Sequence, residues 1–288
     1  MKINILAAFV FLASLAVGGT QAQDTPEQAP ARALPQAEKP EVKQAEKSEP
    51  LSADDRARKA FGPPPGCVQL GKTNNLWMDK KRKRVYADGY VSLRNGGLEM
   101  FACPAGTKEH ESAVAILARS IDVHTALLAI GAQTGTPVQH VPRFVPATGQ
   151  VIRVWVCWRD KKGKFQAVDA RTWVKKVGTK KETMKSEWVF AGSGFWTDPS
   201  NGEQHYEANA GDMICVSNFS TAMIDVSIAS SAEAGQLLYV PFTERIPEEG
   251  TSIRMVLVAI PPPSDKPIPN RADFDKKPVE AILPKTKS

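Results

Sequence analysis

The sequence predicts an α+β fold: a largely antiparallel sheet, or sheets, with a helical insertion, flanked by disordered proline-rich ends. Three observations predict it: short apolar runs between turn residues, one stretch with helical spacing, and ends rich in proline and charge. The 288 residues are 42% hydrophobic and 24% charged, close to globular averages, which excludes a wholly disordered chain. A mean hydropathy of -0.28 excludes a polytopic membrane protein.

Residues 1–22 have the three-part pattern of a secretory signal peptide. Lys2 precedes an apolar stretch over residues 5–17, and small residues lead to an expected cleavage site after Ala22. The alternative is an uncleaved N-terminal membrane anchor, for which this stretch is short, since a spanning helix needs about 20 apolar residues. We therefore expect an exported protein, periplasmic or at the cell surface.

Two flexible ends are expected to flank one folded domain. Residues 23–60 carry mixed charge and five prolines, and residues 23–58 contain no aromatic side chain. Such a segment buries too little apolar surface to offset the entropy of ordering. We interpret them as a disordered tether. Residues 261–288, with seven prolines, form a similar flexible tail. Residues 61–260 are long enough for a single α+β domain with a buried core.

The first strands are predicted over residues 76–78, 85–93 and 98–103. Residues 80–84, five consecutive Lys or Arg residues, are interpreted as a charged hairpin turn, and Asn95-Gly96-Gly97 as a tight turn between the next two strands. Nucleic-acid binding would favour aromatic residues among the basic ones, and export argues against it. Peripheral contact of the basic turn with anionic surfaces stays an alternative.

The apolar spacing then becomes helical. Residues 113–117 and 123–130 both have it, with Gly131 as a stop signal, and residues 108–111 would begin the first helix. Residues 160–163 are expected to be a turn. Further strands are predicted over residues 151–158, 165–168, 188–191, 212–218, 224–228 and 253–260.

Four cysteines lie far apart in the sequence: Cys67, Cys103, Cys157 and Cys215. An iron–sulfur cluster, a zinc ribbon and a thioredoxin-type site all need closely spaced pairs, so this spacing argues against each of them. In an exported chain the alternatives are one or two disulfides, whose pairing the sequence leaves open, or buried free thiols.

The candidate functional residues are Lys108, Glu109, His110, Glu111 and His124. Imidazole and carboxylate groups bind zinc or manganese and also act as acid–base groups. A structural interpretation is that the two glutamates complement a helix dipole and His124 hydrogen-bonds in the core. A third is an anion or polar-ligand pocket, formed by the loop of residues 103–107 and a helix N-terminus.

The spacing of the two histidines argues against a shared metal ion. On one continuous helix they would be separated by roughly 21 Å. If the helix instead folds back near residues 120–122, they lie near opposite ends of two antiparallel helices. We therefore expect no metal site and no cofactor. This expectation would fail if His110, His124 and a later carboxylate such as Asp225 met in one pocket.

A serine nucleophile is not indicated either. Gly192 and Gly194 flank Ser193 directly, whereas a nucleophile elbow needs a glycine two residues away on each side and a following helix. A glycine-rich turn is the better interpretation.

Several motifs together resemble the YdjY-domain family of bacterial exported proteins. They are Trp77-Met78-Asp79, residues 84–89, residues 98–103, the Gly106–Ser112 run GTKEHES and the His124–Ala132 run HTALLAIGA. The resemblance covers most of residues 76–260 and implies no particular activity. Some members carry a ferredoxin-like label, which would imply an iron–sulfur site that the cysteine spacing argues against.

We therefore expect an exported binding or structural module of the cell envelope, with a polar pocket at the KEHES run of residues 108–112. Its partner would be a small polar ligand or an envelope component, and not a nucleic acid. The alternative is a metal-assisted hydrolase centred on His110 and Glu111.

Overall fold

The fold is mostly β, and its main sheet is a nearly closed barrel. The computed structural model describes residues 50–71, 75–264, 268, 271–274 and 276–278. The predicted signal peptide, most of the predicted tether and the end of the tail lie outside the described residues. Within them the helical insertion is one helix of ten residues, so the balance is further toward β than the predicted α+β class.

The described elements are as follows. The strands are β1 Val68–Gln69, β2 Leu76–Asp79, β3 Arg84–Val91, β4 Met100–Pro104, β5 Ser112–Ile116, β6 Val151–Arg159, β7 Phe165–Asp169, β8 Val174–Lys176, β9 Trp188–Val189, β10 Phe195–Thr197, β11 Gln204–Tyr206, β12 Ile214–Cys215, β13 Asp225–Val226, β14 Tyr239–Pro241 and β15 Ser252–Ala259. The helices are α1 Ala53–Phe61, α2 Ser120–Ala129 and α3 Arg271–Phe274. Single 3₁₀ turns lie at Glu109–Glu111, Ala170–Trp173, Glu207–Ala210 and Ala234–Gln236.

Strand order explains the barrel. The main sheet runs β12-β4-β5-β3-β15-β6-β9-β13, and a bridge between Ile214 and Ile224 links its two ends. Neighbours along this path are antiparallel except β4 and β5, which are parallel. The centre of the sheet is β15, which pairs along its length with β3 on one side and β6 on the other.

Alternate residues of the central strands fill the interior. Ile253, Met255 and Leu257 of β15 are fully buried in the main core, as period-two alternation requires when one face points inward. The opposite face of the same strand carries Arg254, which is also fully buried. A charged group can occupy that position only with partners, and α1 helps to supply them.

Helix α1 covers this outer face of the sheet. Ser52 caps its N-terminus by accepting a hydrogen bond from the Asp55 amide at 3.1 Å. At its other end Phe61 lies under the Arg254 guanidinium, which donates to both oxygens of Asp88 at 2.6 and 2.8 Å and to the Gly62 carbonyl. Ordered structure therefore reaches back to Ala53, earlier than the predicted boundary at residue 61.

Residues 112–116 correct the predicted first helix. They form β5, a strand buried at every position between β3 and β4. A short apolar run that is buried on both faces has no alternation, so periodicity cannot distinguish it from a helix. The same strand separates β3 from β4, so the turn predicted at residues 95–97 does not join paired strands.

Other predicted elements are confirmed. Helix α2 covers most of residues 123–130, and Gly131 follows it with a φ of 83°. The basic run is the turn between β2 and β3, where the Asp79 carboxylate accepts from the Arg82 amide at 3.0 Å. Strands β6, β7 and β15 lie where they were expected. The strands predicted over residues 188–191, 212–218 and 224–228 shrink to two residues each.

All four cysteines are free thiols, which is one of the alternatives left open by the sequence. Cys103, Cys157 and Cys215 are buried and Cys67 is half-buried. Burial raises the pKa of the Cys157 and Cys215 thiols far above the ordinary value, so neither is a ready nucleophile. None of the helices in the described ranges is long and apolar enough to cross a membrane.

Candidate functional site

The KEHES run connects the two parallel strands of the barrel. It begins after a turn in which Gly106, with a φ of 83°, lets the chain reverse, and it forms one 3₁₀ turn before β5. The Ser112 hydroxyl donates to the Lys108 carbonyl at 2.7 Å and closes this turn. The predicted helix start at residues 108–111 is therefore wrong, and no helix dipole acts on these residues.

Lys108 is held by residues from a distant segment. Its ammonium lies 3.0 Å from Asp212 Oδ1 and 3.7 Å from Glu111 Oε1, and it lies over the ring of Phe219. Burial alone would lower the pKa of Lys108, but the hydrogen bond and charge of Asp212 raise it above the ordinary value. The ammonium therefore stays charged throughout the physiological range.

Gly211 makes this contact with Asp212 geometrically feasible. A Cβ at residue 211 would lie 2.4 Å from two carbons of the Lys108 side chain. The φ of Gly211 is 145°, in the range that side-chain-bearing residues rarely adopt.

Carboxylates outnumber the cation around this point. We call Glu99, Lys108, His110, Glu111 and Asp212 the Lys108 cluster. The side chains of Glu111 and Asp212 are 20% and 7% exposed, and that of His110 is 77% exposed with Nε2 3.8 Å from Glu111. Partial burial, and then the charges of Glu111 and Asp212, raise the pKa of Glu99 above its usual range. Three carboxylates and one ammonium leave the cluster acidic.

Glu109 has a structural role instead. Its carboxylate accepts hydrogen bonds from the Tyr90 hydroxyl at 2.8 Å and from the Gly106 amide at 2.7 Å. The Thr107 amide donates to the Pro104 carbonyl. These N–H groups were the expected anion-binding donors, and the fold already uses them, so the geometry does not favour an anion here.

His124 lies in a different environment. On α2, its Nδ1 is 2.6 Å from the Tyr206 hydroxyl, and its ring packs edge-on against Phe190. Because Tyr206 donates its own proton to the Gly192 carbonyl at 3.0 Å, His124 must donate from Nδ1. Burial lowers the pKa of His124, so a neutral imidazole fits the site.

A chain of polar contacts joins the two motifs. Asp212 accepts a hydrogen bond from the Thr221 hydroxyl, and the Thr221 carbonyl accepts from Ser193 Oγ at 2.6 Å. Ser193 follows Gly192, whose carbonyl is the acceptor for Tyr206. Gly192 and Ser193 have φ values of 100° and 57°, and strand β10 follows them instead of the helix that a nucleophile elbow needs.

Asp225 does not join either histidine. Its buried carboxylate accepts hydrogen bonds from the backbone amide of Val226 at 2.7 Å and from the side-chain amide of Asn218 at 3.3 Å. Burial raises its pKa to about 7. His110, His124 and Asp225 thus have separate partners, and in the described part of the chain no three His, Cys, Asp or Glu side chains are placed so that they could hold a metal ion.

The residues that the sequence did not single out are Glu99, Asp212, Thr221 and Tyr206. Each lies at least nine residues from the KEHES run and reaches the site through strand pairing or a loop. Among these residues only Asp212 has a local signal in the sequence. It follows Gly211, and a Gly-Asp pair is typical of a tight turn.

Fold and site together define a mostly-β barrel domain with an acidic, lysine-centred cluster where its two parallel strands are joined. The sequence profile of the YdjY domain matches residues 76–258, more than half of the chain. The chain belongs to the YdjY-domain family, as the motifs indicated. Comparison with curated proteins and with solved structures gave no significant match.

Proposed function

We propose that this protein is an exported binding module of the cell envelope, and that the Lys108 cluster binds an ammonium or guanidinium group of its ligand. The observation that carries the proposal is the composition of the cluster. Lys108 neutralises only part of the charge of Glu99, Glu111 and Asp212, and Glu111 and His110 reach solvent. An added cation would lie beside carboxylates that are already partly desolvated, where attraction is stronger than in bulk water.

The half-buried position of Glu99 supports this ligand class. Its carboxylate is destabilised by burial and by the neighbouring carboxylates. A bound cation relieves both penalties, so binding and ionisation of Glu99 favour each other. The same carboxylates would repel an anionic ligand. The amides of Gly106 and Thr107, which could have attracted an anion, are already hydrogen-bonded.

A calorimetric titration tests the proposal. The probes are 1,5-diaminopentane, 1,5-pentanediol and glutarate, which share a five-carbon chain and differ in charge. We expect saturable binding of the diamine only, weakened several-fold in Glu99→Gln and Glu111→Gln. Glu182→Gln is the matched control, since Glu182 is exposed and lies beside β8, which pairs with β14 and not with a strand of the cluster. Equal binding of the diol, or equal affinity in the Glu111→Gln variant, would refute the proposal.

The hydrolase alternative has no specific support in the geometry. Glu111 is 3.7 Å from the Lys108 ammonium and His110 is largely exposed, so neither is oriented by a third group as catalytic pairs usually are. Elemental analysis of protein purified without chelators bears on this alternative. A stoichiometric transition metal that is lost in His110→Ala would replace the binding proposal with a metal-assisted reaction.

Export is a separate part of the proposal and has its own measurement. If the signal sequence is cleaved as its pattern predicts, the intact mass of protein from the envelope fraction corresponds to a chain that starts at Gln23. A chain that retains Met1 would instead indicate the uncleaved anchor, and recovery from the cytoplasm alone would contradict export.

A further inference from the structure

A cleft of about 590 Å³ lies between the β2–β3 turn and the chain segment that leads into β1. This volume is within the range of small-molecule sites, about 300–1,000 Å³. The cleft lies at the Arg84 end of β3, whereas Tyr90, which contacts Glu109, lies at the other end of that strand. It is therefore distinct from the Lys108 cluster.

The lining of the cleft is predominantly apolar. Pro65, Val68 and Met78 contribute its apolar surface, and Val68 pairs directly with Met78 across β1 and β2. Val68 is 56% exposed, an unusual position for a β-branched side chain on a strand. An apolar wall that stays in contact with water is a favourable surface for a ligand with an apolar body.

The rim of the cleft is basic, and only part of that charge is used by the fold. Arg82 is bound to Asp79 at 2.9 Å, Lys83 donates to the Ile130 carbonyl, and Arg84 donates to carbonyls of residues 273 and 276. Lys80 and Lys81 also line the cleft, and their side chains form no hydrogen bond or ion pair within the described ranges. Two cations thus remain available beside an apolar wall.

We propose that this cleft binds a small anionic amphiphile, a molecule with one apolar chain or ring and one carboxylate, sulfate or phosphate group. The apolar body would contact Val68 and Met78, and the anionic group would lie between Lys80 and Lys81. Charge complementarity selects the anion, and a cleft of this volume has room for a single small molecule. The inference is independent of the proposed function of the Lys108 cluster.

Octanoate and 1-octanol, which share a chain length and differ in charge, are the probes for a calorimetric test. We expect saturable octanoate binding that weakens with added salt, because the two lysines are exposed and screened. The Lys80→Gln/Lys81→Gln variant should lose about three- to tenfold in octanoate affinity, as for two exposed charge pairs. Val68→Ser should weaken both probes.

Lys162→Gln/Lys164→Gln is the matched control, because it removes the same charge from the β6–β7 turn. All variants alter exposed side chains, and an unchanged thermal unfolding midpoint verifies their folding. The inference is overturned if octanoate does not bind saturably, if octanol binds equally well, or if the Lys80/Lys81 and control variants behave alike. Lys80- and Lys81-dependent binding to phosphatidylglycerol vesicles without octanoate binding would also overturn it, in favour of a membrane surface.

Discussion

The position of Lys108 depends on Gly211 as well as on its ion-pair partner, Asp212. The Asp212 carboxylate lies next to Gly211 in the chain, and the missing side chain at residue 211 is the space that the Lys108 methylenes fill. Close packing of this kind makes the geometry of the cluster specific, because a cation on a flexible stem otherwise samples many rotamers.

Substitution of Gly211 by Ala tests this arrangement. The added methyl group is expected to cost about 2–4 kcal/mol in the free energy of unfolding, through the unfavourable φ and the contact with Lys108. Urea unfolding measures it. In a Lys108→Ala background the two closest contacts, with Cγ and Cδ, are gone, whereas the contact with Cβ of residue 108 at 3.0 Å and the backbone strain remain, so the cost should shrink. An identical cost in both backgrounds would show that Lys108 does not occupy this space.

The buried Asp225 carboxyl makes stability depend on pH. Burial raises its pKa from 3.8 to about 7, so between about pH 4 and pH 7 the native state keeps a proton that the unfolded chain has lost. This contribution to stability is complete below pH 4 and is lost as the pH rises through 7. Asp225→Asn should therefore unfold like the wild type near pH 4 and be more stable near pH 8, by on the order of 2–4 kcal/mol. Denaturant titrations at the two pH values measure the difference, and a variant that is less stable at pH 8 would contradict the assignment.

The composition of the site could be predicted only in part from local sequence. Lys108, Glu111 and His110 stand together in the chain and were identified by their chemistry. Asp212 and Glu99 come to them through the pairing of β12 with β4 and of β4 with β5, and strand pairing over such distances leaves no local signal. His124 was grouped with them by residue type, yet the fold places it beside Tyr206.

At the scale of elements, β4 and β5 are unusual because they are parallel neighbours although the segment that connects them contains only a 3₁₀ turn. Parallel neighbours usually need a crossover of a dozen or more residues, often a helix, and a helix was predicted here. Strand β5 is buried at every position between β3 and β4, and its apolar run resembles a helix in spacing. The strands with one partly polar face, such as β6, were predictable because they alternate or are flanked by clear turns.

Helix α1 is expected to contribute to stability through its last residue. Phe61 is fully buried against Arg254, so Phe61→Ala should lower the free energy of unfolding by about 3 kcal/mol. The matched control is Leu51→Ala just before the helix, where the side chain is 49% exposed and the change should stay within about 0.5 kcal/mol. Equal effects of the two substitutions in urea unfolding would mean that α1 does not pack on the sheet.

At the scale of the described domain, strand pairing is extensive on one side of the barrel and limited on the other. On one side β15 is paired along its length with two neighbours, whereas the seam between β12 and β13 consists of short strands joined by one bridge and three backbone hydrogen bonds. The sequence predicted most of the strands but not this closure, because strand order depends on tertiary pairing and not on periodicity.

Hydrogen exchange measures this asymmetry. The amides of Met255 and Leu257 should exchange most slowly, near the rate set by global unfolding, whereas those of Cys215 and Ile224 at the seam should exchange through local opening. Equal protection of seam and centre would show that the barrel is closed more firmly than its pairing indicates.

The most direct measurement of the central claim is a titration of isotope-labelled protein with 1,5-diaminopentane, followed by amide chemical shifts. We expect saturable changes at residues 99, 108–111 and 212, with none there for glutarate at the same ionic strength. Changes that occur elsewhere, or an equal response to glutarate, would contradict a cation-binding role for the Lys108 cluster.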